Sequence, residues 1–411
     1  MKSTRHLLLC LFVLCGLLPA ARAQWMPLSP MSTGTDTAAT VYMIRSYGGK
    51  LFVCTNKGLY VSYDDGDTWI SLTYGKSNTG GKKIISVFYD NDVDKIYAGG
   101  DSAVFASTDN GATWHYTAIT SIDKANDIAK TGFNILVSHG VPGFPAGGIY
   151  YSVDDMSTYK AAIMPVAPVF GLETGGALAF AGGKDGAYVS KDRGVSWNIS
   201  GTGHPGGARY GPMVRHHGSI YAGDLNGHGL WRSRDEGNIW TEVSSTVFKN
   251  FCQVFDLVAS NKAILAIAEG ACNVEGPVKL SADSGKTWIN PPGLPLGQYT
   301  RLGRNTKGDC FYIFDQNGRT LYRNCSASLD IAPVTAAAAV RVYPNPVSGL
   351  LHVAGWRSAE VRLLDINGRE VFQKVFREEE IQVNMQDLPS GAYFLVLQSG
   401  GQRMTQTVLR L

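Results

Sequence analysis

Five eight-residue stretches of one kind recur along the chain: SYDDGDTW at 62–69, STDNGATW at 107–114, SKDRGVSW at 190–197, SRDEGNIW at 233–240 and SADSGKTW at 281–288. Each sets an aspartate (Asp64, Asp109, Asp192, Asp235, Asp283) two residues after a serine and five before a tryptophan (Trp69, Trp114, Trp197, Trp240, Trp288). Such an aspartate can belong to a calcium loop, act as a catalytic carboxylate, or accept the N–H groups of its own turn. Calcium takes about six to eight oxygen ligands, and the interleaved Tyr63, Thr108, Lys191, Arg234 and Ala282 supply none consistently. Catalysis needs one converged constellation, whereas equivalent positions in successive repeats are dispersed. The turn role is complete by itself: Asp caps backbone N–H groups, Gly supplies positive φ, and Trp fills space between units. The box aspartates therefore report architecture rather than a reaction.

Other residues carry the candidate chemistry. Asp101, Asp185, Asp224 and Glu269 sit in or beside Gly-rich turns. Two of them held about 5–10 Å apart would form the acid–base pair of a glycoside hydrolase. His139, His204 and His228 fall in comparable loops, where converging imidazoles could bind a ligand, although no compact metal spacing is present. Tyr210, with Tyr74, Phe144, Phe251 and Tyr299, lies near the same loops and could stack on a sugar or peptide. No cofactor or metal is implied.

The elements that must position these groups follow from the repeat. SVDDMSTY at 152–159 is a worn sixth copy that keeps Ser152, Asp154 and Thr158 but has Met156 and Tyr159 in place of Gly and Trp. With it, successive box aspartates are 45, 45, 38, 43 and 48 residues apart, a period characteristic of four-stranded propeller blades. Each unit reads as short apolar strands, such as IISVFY, KIYAGG and AVFAST, with the box joining the third strand to a fourth. Residues 301–324 supply three more strands without a box, and QWMPLS at 24–29 resembles an isolated fourth strand, with Trp25 lying 44 residues before Trp69. Joining the two ends predicts an all-β, seven-bladed β-propeller over 24–326, closed by the N-terminal strand and without free edges. Six blades, with the last segment packed otherwise, is the alternative. The connections between fourth and first strands, and between second and third, then share one face, opposite the box turns. That face holds the candidate residues.

Residues 1–23 read as a signal peptide: Lys2 and Arg5, the apolar run 7–18, and the small-x-small site Ala21-Arg22-Ala23. No later run is apolar and long enough to span a bilayer. The formal net charge is +3 with 17% charged residues and no Lys/Arg block, which gives nucleic-acid binding no electrostatic support. Five cysteines follow the signal segment. Cys310 and Cys325 flank Asn317-Gly318, and a two-residue turn there would set them opposite each other for a disulfide. Cys252 and Cys272 could close a longer loop, and Cys54 reads as a buried apolar residue. The Ala-rich stretch 327–340 reads as a linker, and 341–411 as a small Ig-like β-sandwich of six or seven strands.

The boxes resemble those of the BNR or Asp-box β-propellers, a group that includes sialidases, xyloglucan-active glycoside hydrolases, sortilin-type receptors and photosystem II assembly factors. The resemblance implies the fold. The Phe/Tyr-Arg-Ile-Pro motif of sialidases is replaced here by YMIRS at 42–46. The C-terminal segments YPNP (343–346), LLDINGREV (363–371) and DLPSGAYFLVLQSGG (387–401) resemble the type A sorting domain of the type IX (Por) secretion system of Bacteroidota. That resemblance implies type IX secretion machinery as a partner and a secreted or cell-surface destination. The sequence points to a non-catalytic module binding a glycan or protein, with a glycoside hydrolase as the alternative.

Overall fold

In the computed structural model, the described residues are 25–325 and 341–411, apart from 30–39, 74–82, 121, 142–145, 166, 176–177, 244–246, 249–251, 271–275, 355–358, 366–368, 377–379 and 400–401. The signal segment 1–23, the linker 327–340, Tyr74, Phe144, Phe251 and Cys272 lie outside them. The chain divides into two compact units, 1–329 and 330–411.

Unit one is a ring of seven antiparallel sheets. Blades 1 to 5 have four strands each and span Val41–Ser71, Ser86–Tyr116, Ala125–Ala161, Val169–Ile199 and Tyr210–Glu242 in chain order. Blade 6 has three strands between Cys252 and Ser281, with a single bridge from Leu280 to Ile289 at the fourth position. Blade 7 takes three strands from Tyr299–Asn324 and its fourth, Met26–Pro27, from the other end of the chain. Met26 pairs Arg323 and Pro27 pairs Tyr322, so the expected closure is present. Trp25, which precedes the closing strand, is buried.

The box turns are alike in geometry and independent of the rest of the motif. In blade 1, Asp64 Oδ1 accepts from Ser62 Oγ at 2.7 Å and Thr68 N at 2.8 Å, and Oδ2 accepts from Thr68 Oγ1 at 2.6 Å. In the worn copy the same contacts to Asp154 measure 2.8, 2.9 and 2.6 Å. Two consecutive residues are left-handed in both: Asp65 and Gly66 at φ 56° and 101°, Asp155 and Met156 at 61° and 67°. The turn also rivets neighbouring blades. Tyr312 and Arg323 of blade 7 donate to Asp65 O at 3.1 and 2.9 Å, and Tyr221 of blade 5 donates to Ser284 O at 2.8 Å. Trp114 Nε1 donates across a blade boundary to Leu72 O at 3.0 Å.

Cys310 and Cys325 form a disulfide. The turn between their strands differs from the two-residue expectation. Pairing ends at Asp315–Thr320, leaving a four-residue connection. Asp315 stabilises that wider turn, accepting Asn317 N and Gly318 N at 3.1 Å each. The register is unchanged because both turns are centred between 317 and 318, so 310 still faces 325. Cys252 is disulfide-bonded, and Cys54 is a buried free thiol.

Unit two is a sandwich of a three-stranded sheet (341–343, 350–354, 380–384) and a four-stranded one ordered 370–376, 359–364, 391–399, 402–410. Alternating residues such as Leu351, Val353, Val361, Leu363, Ile381, Val383, Leu395 and Leu397 form its core. This is the expected Ig-like arrangement.

Candidate functional site

The four candidate carboxylates lie in separate blades, Asp101 and Asp185 in turns, Asp224 at the end of a strand and Glu269 within one. Asp101 is exposed and pairs with Lys83 at 3.0 Å. Asp185 is exposed, left-handed at φ 69°, and its N–H donates to Ala208 O at 2.7 Å. Asp224 is fully buried and accepts from Arg209 N at 2.9 Å, Asn226 N at 2.7 Å and His228 N at 3.0 Å. His228 Nδ1 lies a further 3.1 Å from Asp224 Oδ1. Glu269 is half-buried on the second strand of blade 6, opposite Gln253.

Of the remaining candidates, His204 and His228 lie in loops, whereas His139 is on the second strand of blade 3 rather than in the expected loop, and Tyr210 opens the first strand of blade 5. His139 stacks on Tyr150 at 4.5 Å, and burial lowers its pKa. His204 Nε2 donates to Ser200 O at 2.6 Å, since a carbonyl can only accept, so its Nδ1 receives the Tyr210 hydroxyl at 3.3 Å. Burial lowers the His204 pKa and raises that of fully buried Tyr210. No three His, Cys, Asp or Glu side chains gather among the described residues in a metal-holding group. None of the eight lines the cavities of the central channel.

The channel itself is built from the first strand of each blade. One cavity of about 260 Å³ opens where these strands begin, and another of about 320 Å³ lies where they end. The two share Ile44, Arg45, Asp127, Leu172, Met213 and Leu257. Six of the seven first strands shift register near the mouth, between Val41/Met43, Ala125/Asp127, Val169/Gly171, Tyr210/Met213, Val254/Asp256 and Tyr299/Arg301. A β-bulge re-aims a side chain and ends regular pairing. Here it turns Tyr42, Asn126, Phe170 and Phe255 toward the mouth cavity, which they line with Lys124 and Arg301.

Asp127 and Asp256 occupy the same bulge position in blades 3 and 6. Each accepts the following residue's N–H (Ile128 at 3.0 Å, Leu257 at 2.9 Å) and one from the next blade (Leu172 at 3.1 Å, Leu302 at 2.8 Å). They stitch blade 3 to 4 and blade 6 to 7. Burial raises both pKa values, while Arg45 opposes this at Asp127 and Arg301 at Asp256. Arg45 stands 3.9 Å from Asp127 with its side chain 36% exposed. Lower down, Glu173 is raised by burial, accepts Gly175 N at 3.0 Å and lies 3.5 Å from Arg215. At the mouth, burial lowers the Lys124 pKa, and Lys83 and Arg301 lower it further. The acids are thus committed to backbone N–H groups, while Lys124 has no hydrogen-bond or ion-pair partner among the described residues. This arrangement suits holding a polar or anionic group better than moving protons.

These channel residues escaped sequence reasoning, although a signal existed. A charged residue stands just before Ile or Leu in the first strands ANDIAKT, CQVFDLVA and YTRLGR. Aligning first strands as the boxes were aligned would have found it.

Residues 341–409 match the model of the secretion system C-terminal sorting domain. The C-terminal unit is that sorting domain. It marks the chain for export by the type IX system to the cell surface or the medium, and no helix among the described residues is long and apolar enough to cross a membrane. Over 75–93% of the chain the fold is similar to solved propellers. The extracellular domain of BT4673 from B. thetaiotaomicron aligns at 12% identity and TM-score 0.56, covering 93% of this chain and 52% of that one. The GH74 xyloglucanase from Xanthomonas campestris aligns at 14% identity and TM-score 0.56, covering 80% and 59%. YCF48 bound to D1 peptide aligns at 17% identity and TM-score 0.54, covering 75% and 97%. The chain therefore spans about half the length of the first of these and most of the last. No curated protein matches the sequence. At these identities the likeness establishes the propeller fold and not an activity.

Proposed function

We propose that the propeller, an Asp-box ring delivered outward by its sorting domain, is a non-catalytic module that binds a glycan or peptide over the channel mouth. One observation carries this reading. The mouth presents aromatic and cationic side chains (Tyr42, Phe170, Phe255, Lys124, Arg301), whereas the nearby carboxylates Asp127 and Asp256 are held by two backbone N–H groups each. Pockets of this make-up bind through apolar faces and a few placed polar groups. YCF48, similar in fold over three quarters of this chain, is a protein seen bound to D1 peptide, which supports the reading.

The glycoside hydrolase alternative calls on Asp101, Asp185, Asp224 and Glu269. Asp224 would first have to release three backbone N–H groups. A panel of polysaccharides, sialosides and peptides assayed for both binding and hydrolysis tests the proposal. Binding without turnover, weakened by Phe255→Ala, is the expected result. Hydrolysis abolished by Asp185→Ala or Asp224→Ala in a folded variant would replace it with the enzyme.

A further inference from the structure

The mouth cavity has an uneven charge balance, and the ligand class it implies rests on the binding role proposed for that mouth. Lys83 is spoken for by Asp101 at 3.0 Å and also sits 5.0 Å over the Tyr42 ring. Arg45 has Asp127 at 3.9 Å. Arg301 faces Asp256 and donates Nε to Tyr42 O at 2.6 Å and Nη1 to Thr300 O at 2.5 Å, which leaves Nη2 without a partner among the described residues. Lys124 is then the surplus cation. It is half-buried in the cavity wall, where Lys83 and Arg301 repel it and Asp101, already paired with Lys83, offsets this only in part. Holding three cations together costs free energy in the empty site, and a bound anion relieves that cost. The neighbouring carboxylates do not cancel the effect, because Asp127 and Asp256 already face two N–H dipoles and an arginine each.

Beside these cations the bulges hold three aromatic side chains, Tyr42, Phe170 and Phe255, with Phe255 37% exposed although it belongs to an innermost strand. Partly exposed aromatics next to a surplus cation fit a ligand that carries an apolar face and an anion on one rigid body. A uronic acid residue has that form: its C–H face packs on an aromatic ring while its carboxylate reaches a cation. A peptide carboxylate would have to order several rotors to make the same two contacts. We propose that the channel mouth binds an acidic polysaccharide, with Lys124 and Arg301 receiving the uronate carboxylate and Phe255, Phe170 and Tyr42 packing against the sugar ring.

Calorimetric titration of the full chain with polygalacturonate, with its methyl-esterified form, and with polyglutamate tests this. Esterification keeps the backbone and removes the charge. Polygalacturonate is expected to bind at least about tenfold more tightly than the ester, the scale of one charge-assisted hydrogen bond. Its affinity should fall with added salt. Lys124→Met should lose that preference, Lys124→Arg should recover it, and Phe255→Ala should weaken both polysaccharides alike. Circular dichroism melts of each variant show whether it has folded, and Lys124→Arg keeps the test valid if Lys124→Met has not. Equal binding of polygalacturonate and its ester overturns the anion assignment while leaving the binding module standing. Tighter binding of polyglutamate overturns the glycan assignment. Binding of none of the three overturns this proposal, and a blank across the wider panel overturns the binding module with it.

Discussion

The aromatic position that ends each box should differ sharply in energetic weight between blades, although the turn before it does not. Trp114 is 1% exposed and donates Nε1 to Leu72 O of the preceding blade at 3.0 Å. Its counterpart in the worn copy, Tyr159, is 37% exposed and meets Tyr150 edge-on at 4.9 Å. A buried aromatic removes about 150–250 Å² from water, which at about 25 cal/mol per Å² is about 4–6 kcal/mol. Comparable truncations in protein cores cost about 3–5 kcal/mol. Trp114→Ala should therefore cost about 3–5 kcal/mol, and Tyr159→Ala, which gives up roughly half the burial, half of that, about 2 kcal/mol. Urea denaturation of the full chain followed by far-UV circular dichroism reads this as a shift in midpoint at constant m. Equal losses in the two variants would refute the claim that the tryptophan, not the turn, makes the interblade core.

The turn itself gives the complementary expectation: Asp109→Ala and Asp154→Ala should shift the midpoint equally, because their hydrogen bonds agree to within 0.1 Å. On acidification the boxes should weaken. Hydroxyl and backbone donors of Thr68 and Thr113 hold Asp64 and Asp109 at about 2, below the unfolded value of about 3.9, so their stabilisation is complete above about pH 4 and is lost as pH falls toward 2. The slope of midpoint against pH over that window should flatten in Asp64→Ala; an unchanged slope would dismiss the assignment. The channel acids Asp127, Asp256 and Glu173, raised by burial, act in the opposite sense, and the single variant separates the two. Replacing both Cys310 and Cys325 by Ser opens a loop closed over 15 residues and should cost about 3 kcal/mol, measured by the same unfolding midpoint. Truncation at residue 329, which removes the sorting domain, should leave the propeller folded but retained inside the outer membrane, as cell fractionation would show.

Much of the architecture was legible because it is periodic. A box every 38 to 48 residues counts blades wherever the turn survives. The orphan strand at Met26–Pro27 could be placed because a ring of short strands has one empty position to fill. The width of the turn at 316–319 was not legible, since Asn-Gly suits a tight hairpin and only the Asp315 carboxylate, bonding Asn317, Gly318 and Gln298, favours the wider form. The candidate site was less legible. Asp224 and His204 have types and settings shared by reactive groups, and nothing in the linear order of residues shows that one caps three N–H groups and the other bonds a carbonyl.

The sequence by itself pointed to the ring and its closure, which are written in turn chemistry and strand period, and set Cys310 and Cys325 within disulfide reach, while the sorting domain was legible as a resemblance carried by compact motifs. Only the tertiary structure decided where charge accumulates. Arg45, Asp127, Asp256 and Arg301 come from blades 1, 3, 6 and 7, as many as 256 residues apart along the chain. They share a channel because closing seven twisted sheets brings every first strand to one axis. Coulombic and desolvation effects depend on that distance and enclosure, and neither is set by position along the chain.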